Sequence, residues 1–257
     1  MDLPEKKGLD KIMDKKNSKD IKNIKIEYYS RNDVVENYDK FRFSGAGGFY
    51  EDSKEKETVE ELLNKSNINR NVLLLDCPCG TGRMFHIANQ ENIKIHACDR
   101  SYAMLKYIKK NFNKKFSGNA LNTDIFNLPF NNCVFDYMLS IRFIFHLPDL
   151  EKFLGEAGRI LKKDGVLIFD TINWSPKFLI PHGKILSGEM FYHSAERIKN
   201  VSARYGFEII DNSHCFILPS FVYKFIPDFP LKIIKWIEKK NWVKSFMTKT
   251  FWCMKKK

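Results

Sequence analysis

Nowhere in its 257 residues does the chain carry the run of roughly 20 apolar residues that a membrane-spanning helix needs. The N-terminal MDLPEKKGLDKIMDKK is charged throughout and lacks the apolar core of a secretory signal, so a cytoplasmic location is expected. Cysteine is present but poorly arranged for metal or redox work. The six, at 77, 79, 98, 133, 215 and 253, form no CxxC pair and no metal-ligand spacing. Free, mostly buried thiols are expected, with no disulfide and no metal. Arginine is scarce too: only nine of the 43 basic residues are Arg. The net charge of +12 is therefore a lysine excess, which raises basicity everywhere without making a nucleic-acid site.

What is there suffices for a sizeable core. With 44% hydrophobic residues, one domain with extensions is the simplest organisation. The central stretch is VLLLDCPCGTGRM, residues 72–84. An apolar run ends at Asp76, a turn carries Gly80 and Gly82, and a helical pattern starts at Arg83. Strand, glycine turn and helix in this order point to a nucleotide-like ligand. In the dinucleotide fingerprint a third glycine follows and a pyrophosphate meets the helix N-terminus; Phe85 stands at that third position here. An acid beneath the turn repels a pyrophosphate and suits an ammonium. S-adenosyl-L-methionine has an ammonium and no phosphate.

These residues resemble the first motif of the class I S-adenosylmethionine-dependent methyltransferases, acid-x-Gly-x-Gly-x-Gly, with Pro78 in place of its first glycine. Proline removes one amide donor, so one backbone contact is expected to differ. A second acid, Asp99, ends the next apolar run, residues 93–98, and stands 23 positions after Asp76. That spacing places it to accept hydrogen bonds from ribose hydroxyls. The following Ser101, a candidate N-cap, with Met104 and Leu105 resembles the family's acid-x-Ser-x-x-Met-Leu run. Downstream, Asp124-Ile125 with Leu128-Pro129-Phe130 resembles the family segment in which an acid takes the adenine amino group and the next apolar residue packs on the ring. The alternative for Asp124 is a loop acid capping a turn.

The resemblance implies a Rossmann-like seven-stranded sheet with helices on both faces and an antiparallel last strand. Strands are expected at residues 72–76, 93–98, 114–118, 134–140, 166–171, 206–210 and 246–254, with helices near 55–63, 83–90, 150–161 and 194–205. It also implies a cofactor set of Asp76, Cys79, Gly80, Thr81, Gly82, Arg83, Asp99, Arg100, Met104, Asp124, Ile125 and Ser140. His146, after the fourth strand, is the candidate general base, against the commoner reading of a packing histidine.

The flanks are less specific. Residues 1–23 read as a mobile charged arm, and 24–54 resemble the family's N-terminal lid, with a helix over 33–41, a flexible loop over 44–48, and Tyr28, Tyr38 and Arg42 closing on the cofactor. Residues 55–257 form the methyltransferase domain. Within it, residues 174–192 suit an acceptor-pocket wall carrying His182 and Tyr192, with His193 just beyond. Residues 219–244 form a basic aromatic helical insertion with Ile233, Ile234, Trp236 and Ile237 on one stripe. It is expected to cover the sheet edge and roof the acceptor site. The expected reaction is methyl transfer to an O, N or C nucleophile of a small molecule. The alternatives are action on a lipid or quinone at an anionic membrane surface reached through 219–244, an RNA methyltransferase, for which no RNA-binding module is present, and a non-catalytic cofactor-binding protein.

Overall fold

A computed structural model describes residue 29 and residues 31–66, 71–89, 93–112, 118–174 and 190–257. The expected arm at 1–23, Tyr28, His182 and most of the expected pocket wall lie outside these residues. Seven strands form one sheet in the order β3-β2-β1-β4-β5-β7-β6. They are β1 Val72–Asp76, β2 Ile93–Asp99, β3 Ala120–Asn122, β4 Phe135–Ser140, β5 Leu161–Ile172, β6 Phe207–Cys215 and β7 Lys249–Lys256. The first five run parallel, and β7 lies antiparallel between β5 and β6, as the resemblance implies.

Period-two geometry explains the continuous apolar runs, because both faces of the sheet are covered. Leu74, Leu139, Ile168 and Phe251 point into one core with Val59, Leu62 and Leu63. Their neighbours Leu75, Met138, Leu167 and Trp252 point into the other, with Phe153, Leu154 and Ala157. Seven α-helices among the described residues supply the layers: α1 Asn32–Arg42, α2 Gly45–Lys65, α3 Tyr102–Phe112, α4 Leu150–Ile160, α5 Ala195–Arg204, the single turn α6 Ser220–Tyr223, and α7 Asp228–Glu238. Capping sets two starts. Asp149 accepts from Lys152 N at 3.0 Å ahead of α4, and Ser194 from Arg197 N at 3.1 Å ahead of α5. No helix among the described residues is long and apolar enough to cross a membrane.

Several boundaries differ from the sequence expectation. Residues 114–117 lie outside the described residues, and β3 is Ala120–Asn122 instead. A Cβ on Gly118 would fall 1.5 Å from the Ile95 carbonyl oxygen, so the chain crosses β2 there before pairing begins. Arg83–Asn89 forms a 3-10 helix, not an α-helix. The strands β5 and β6 run further than expected, β5 because Leu161 already pairs with Phe135 of β4 and β6 because it pairs with β7 as far as Cys215, while β7 is displaced to Lys249–Lys256. The largest correction concerns residues 44–48. They do not form a flexible loop; Gly45 begins a 21-residue helix. A Cβ on Gly47 would sit 1.9 Å from the Tyr223 carbonyl oxygen, and one on Gly48 2.5 Å from the Phe43 carbonyl carbon. These glycines permit backbone contact, not mobility.

The sign of a substitution follows. In a loose loop or an ordinary helix, Gly48→Ala would stabilise by up to about 1 kcal/mol. Here it must displace the α1–α2 corner, and a loss of about 1–3 kcal/mol is expected, read as a melting temperature several degrees lower by scanning calorimetry.

Candidate active site

The strand order reverses between β1 and β4, and in open parallel sheets ligands bind at the carboxyl ends beside that reversal. Asp76 is the last residue of β1 at this point. The chain then turns through residues 77–82, with Gly82 N donating to Cys79 O at 2.9 Å. Gly80 and Gly82 both take positive φ, 52° and 80°, where other residues are strained. Their surroundings differ. A Cβ on Gly80 would meet nothing within 4 Å, whereas one on Gly82 would press on Phe85, Ile108 and Phe112. Gly80 thus leaves the turn open on one side, and Gly82 seats it on α3.

Asp99 ends the adjacent strand and braces this turn. Its Oδ2 accepts from Gly80 N at 2.8 Å and its Oδ1 from Ser101 N at 2.7 Å. Burial raises its pKa, and the amides of Ser101 and Gly80 oppose the rise. Ser101 Oγ in turn accepts from Met104 N at 3.2 Å, capping α3. Asp76 is in a harsher position. It is 2% exposed, and its Oδ2 finds no hydrogen-bond partner among the described residues. Burial first, then the Asp99 charge, push its pKa up to about 8, against a pull from Arg83. A cation brought to such a buried carboxyl favours its ionised form and draws off the proton, whereas a phosphate would hold it protonated. The ammonium of S-adenosylmethionine is such a cation.

The helix α1 lies over this corner. Asp39 Oδ1 accepts from Thr81 Oγ1 at 2.9 Å, and Tyr29 O accepts from Ser101 Oγ at 2.6 Å. Val35 packs with Ala103 and Met104, and Tyr38 meets Tyr29 edge-on at 5.9 Å.

The chain is similar to several known proteins. A methyltransferase domain family matches residues 75–169. An uncharacterised protein of Methanocaldococcus jannaschii is 30% identical over 195 residues, covering 76% of this chain and 80% of the relative. The chain belongs to the class I S-adenosylmethionine-dependent methyltransferases. A malonyl-[acyl-carrier protein] O-methyltransferase of Hamiltonella defensa is 31% identical over 149 residues, and the chain spans 57% of its length. Among solved structures, magnesium protoporphyrin IX methyltransferase from Synechocystis, with bound SAH, aligns at a TM-score of 0.62. It is 11% identical and covers 92% of this chain and 99% of its own. Geranyl diphosphate C-methyltransferase from Streptomyces coelicolor aligns at 0.60, with 14% identity and 79% coverage of each chain. At such identities these structures share the fold. S-adenosyl-L-methionine is the cofactor of this methyltransferase, and methyl transfer its activity.

Not every expected residue turns toward that cofactor corner. In this methyltransferase Arg83 is committed elsewhere, its Nε at 2.8 Å from Asp52 Oδ1 and its Nη2 at 2.8 Å from Glu55 Oε2. Arg42 reaches Glu51 at 3.2 Å and the Ser220 carbonyl at 3.5 Å. Arg142 Nη1 lies 2.8 Å from both Glu51 Oε1 and Glu55 Oε1. Lys249, 2% exposed, sits 2.6 Å from Glu55 and 2.9 Å from Asp170. The guanidinium carbons of Arg83, Arg142 and Arg42 surround the buried Phe43 ring at 3.9, 5.3 and 5.6 Å. Burial alone would raise the Glu55 carboxyl, but Arg142, Lys249 and Arg83 hold it well below the usual range.

The remaining candidates are dispersed along the strand tips. Asp124 Oδ1 caps its own turn, accepting from Phe126 N at 3.1 Å, and Oδ2 lies 3.5 Å from Arg100. Ile125 is buried, in contact with the core that contains Leu75 and Cys77. Ser140 is wholly buried at the tip of β4, and Cys79 is 6% exposed in the turn. His146 ends a 3-10 turn with its ring 4.4 Å from that of Phe145. His193 is no exposed pocket residue. It is 4% exposed, and its Nε2 lies 2.8 Å from the Leu147 carbonyl, which can only accept. Sequence reasoning missed Asp39, Glu51, Glu55, Asp170 and Lys249. Asp170 had a readable signal, an acid near the end of an apolar strand like Asp76 and Asp99; Lys249 had none.

Two outcomes follow from the charges. Because the folded Asp76 pKa lies above its unfolded value near 4, the native state binds the extra proton between the two, so cofactor-free stability falls as pH rises from about 4 to about 8. Asp76→Asn should flatten that part of a melting-temperature-against-pH series. Glu55→Ala leaves Arg142, Lys249 and Arg83 with one buried or half-buried carboxylate each, Glu51, Asp170 and Asp52, for three cations that shared Glu55 as well. An unfolding free energy lower by about 3 kcal/mol is expected in urea titrations, with Glu55→Gln intermediate.

Proposed function

We propose that the enzyme methylates an O, N or C nucleophile of a small molecule in the cytoplasm, at the carboxyl ends of β1, β2 and β4. The observation that carries the cofactor half of this reading is the unsatisfied Asp76 carboxyl under a turn left open at Gly80. Bound S-adenosylmethionine supplies a methyl group already activated on a sulfonium. In our assignment Asp76 takes the ammonium end, and Asp99, whose oxygens keep free lone pairs after bonding two amides, takes the ribose hydroxyls. Asp124 and Ile125 take the adenine, Arg100 holds Asp124, and Cys79, Thr81, Met104 and Ser140 complete the wall.

Arg83 and Arg42 act differently from the sequence expectation in this proposal. Their guanidiniums position α2 and α1 through Glu55, Asp52 and Glu51 rather than touching the cofactor. The helix α1 serves as the lid, closed by the Asp39 to Thr81 contact and presenting Tyr38. The acceptor approaches the tip of β4, where His146 receives its proton. Since the donor is activated, orientation and exclusion of water carry most of the acceleration, and His146 contributes less. The malonyl-[acyl-carrier protein] O-methyltransferase relative supports a small acceptor group, and the geranyl diphosphate C-methyltransferase and magnesium protoporphyrin IX methyltransferase neighbours illustrate how widely acceptors vary on this fold.

Calorimetry tests the assignment directly. S-adenosylhomocysteine should bind the intact protein in the micromolar range, and Asp76→Asn and Asp99→Ala should each weaken it by about tenfold or more, or about 1.4 kcal/mol. Unchanged affinity in either variant removes that residue from the site. Transfer of label from methyl-labelled S-adenosylmethionine into the small-molecule fraction of a cell extract, and not into RNA or protein, is the expected readout for the acceptor class.

A further inference from the structure

The helix α7 is apolar on two opposite sides. Successive helical residues advance by about 100°, so Leu231, Ile234 and Glu238 share one side. That side faces inward: Leu231 is buried and Ile234 packs on the core containing Val59 and Leu62. Glu238 accepts from the hydroxyls of Tyr50 and Tyr223 and from Ile217 N at 3.1 Å. The expectation of one stripe through Ile233, Ile234, Trp236 and Ile237 therefore fails, and so does cover of the sheet edge, because α7 docks on α2. Phe229, Ile233 and Trp236, at i, i+4 and i+7, stand on the opposite side. They are 74%, 50% and 61% exposed, and Phe225, Trp242 and Phe246 nearby are each about as open, at 72%, 69% and 71%.

Three large apolar side chains exposed on one side of a helix, with three more on the segments that flank it, are more than a protein remaining in water needs. The charge around it has one sign. Between residues 216 and 257 there are ten lysines against Asp228 and Glu238, and Glu238 is turned inward. Lys249 and Lys255–Lys257 are engaged elsewhere, with Glu55, Asp164, Leu161 O and Glu208. Lys224 stacks over Phe41 and Phe225, and Lys235 over Tyr50. That leaves Lys232, Lys239, Lys240 and Lys244 beside the apolar side chains, and none of the four pairs with a carboxylate among the described residues. Lys240 Nζ lies 4.4 Å over the Trp236 ring, so the cation and the indole form one amphipathic unit.

We propose that this outward face of α7, with Phe225, Trp242 and Phe246, docks the enzyme on an anionic lipid membrane. The apolar tips enter the headgroup boundary and the four lysines lie among lipid phosphates and carboxylates. A nucleic acid fits less well: no arginine occurs after Arg204, and Phe229 and Ile233 alternate with the cations rather than lining a groove. The inference rests on the surface alone and holds whatever the acceptor is.

Flotation of the full chain with vesicles decides it. The protein should float with phosphatidylcholine vesicles containing about one-third phosphatidylserine, and not with phosphatidylcholine alone, with Trp fluorescence shifting to the blue. The variants Ile233→Ser/Trp236→Ser and Lys232→Glu/Lys239→Glu/Lys244→Glu, all at exposed positions, should each lose about tenfold or more of the binding while melting as the wild type does. Absence of flotation with anionic vesicles, or flotation indifferent to both variants, overturns the proposal. So does tighter, steeply salt-dependent binding to RNA, or a dimer in sedimentation that the Ser variant dissociates.

Discussion

Glu55 is the point through which the elements around the site are tied together. Its carboxylate, on α2, is shared among Arg83 from the glycine turn, Arg142 from the end of β4 and Lys249 from the start of β7. These partners come from three places far apart in the chain, and all converge on one fully buried acid. An ion group of this kind gains little net stability over an apolar packing of equal volume, because each charge has been taken from water. Its effect is geometric. Every member left alone would be a costly buried charge, so only the arrangement that brings all of them together is tolerated. With Asp52, Glu51, Asp170, Arg42 and Lys56 the group holds five cations and four carboxylates among the described residues. It fixes where α2 stands relative to the sheet tips, and through α2 where α1 and α7 stand.

Asp76 shows the opposite treatment of a buried carboxyl. No cation among the described residues is placed against its Oδ2, and Asp99 beside it makes ionisation harder. The same interior neutralises Glu55 with three cations. That contrast is what supports the proposed placement of the cofactor's ammonium end at the β1 tip.

Much of this was legible in residue order. Continuous apolar runs ending in Asp76 and Asp99, and glycines at turn positions needing positive φ, are local signals that the fold reproduces. Other signals misled. Gly47 and Gly48 read as a loop because glycine has two uses, freedom and close approach, and sequence does not distinguish them. Arg83 and Arg42 read as ligand contacts because their acidic partners, though only 9 to 31 residues away, sit on a helix whose placement was not yet known. On α7 the apolar residues were visible, but which of them faced the protein was not.

The sequence by itself determined the order of strands and helices, the acids at two strand tips and the open glycine turn, and through them the family and its cofactor. These depend on side-chain period and backbone preference, which act between near neighbours. The tertiary structure decided which charges neutralise one another, that Asp76 Oδ2 is left without a partner among the described residues, and which side of α7 meets solvent. Those depend on desolvation and on distances across the fold, from Glu55 to Lys249 and from Tyr50 to Glu238, and no local pattern encodes them.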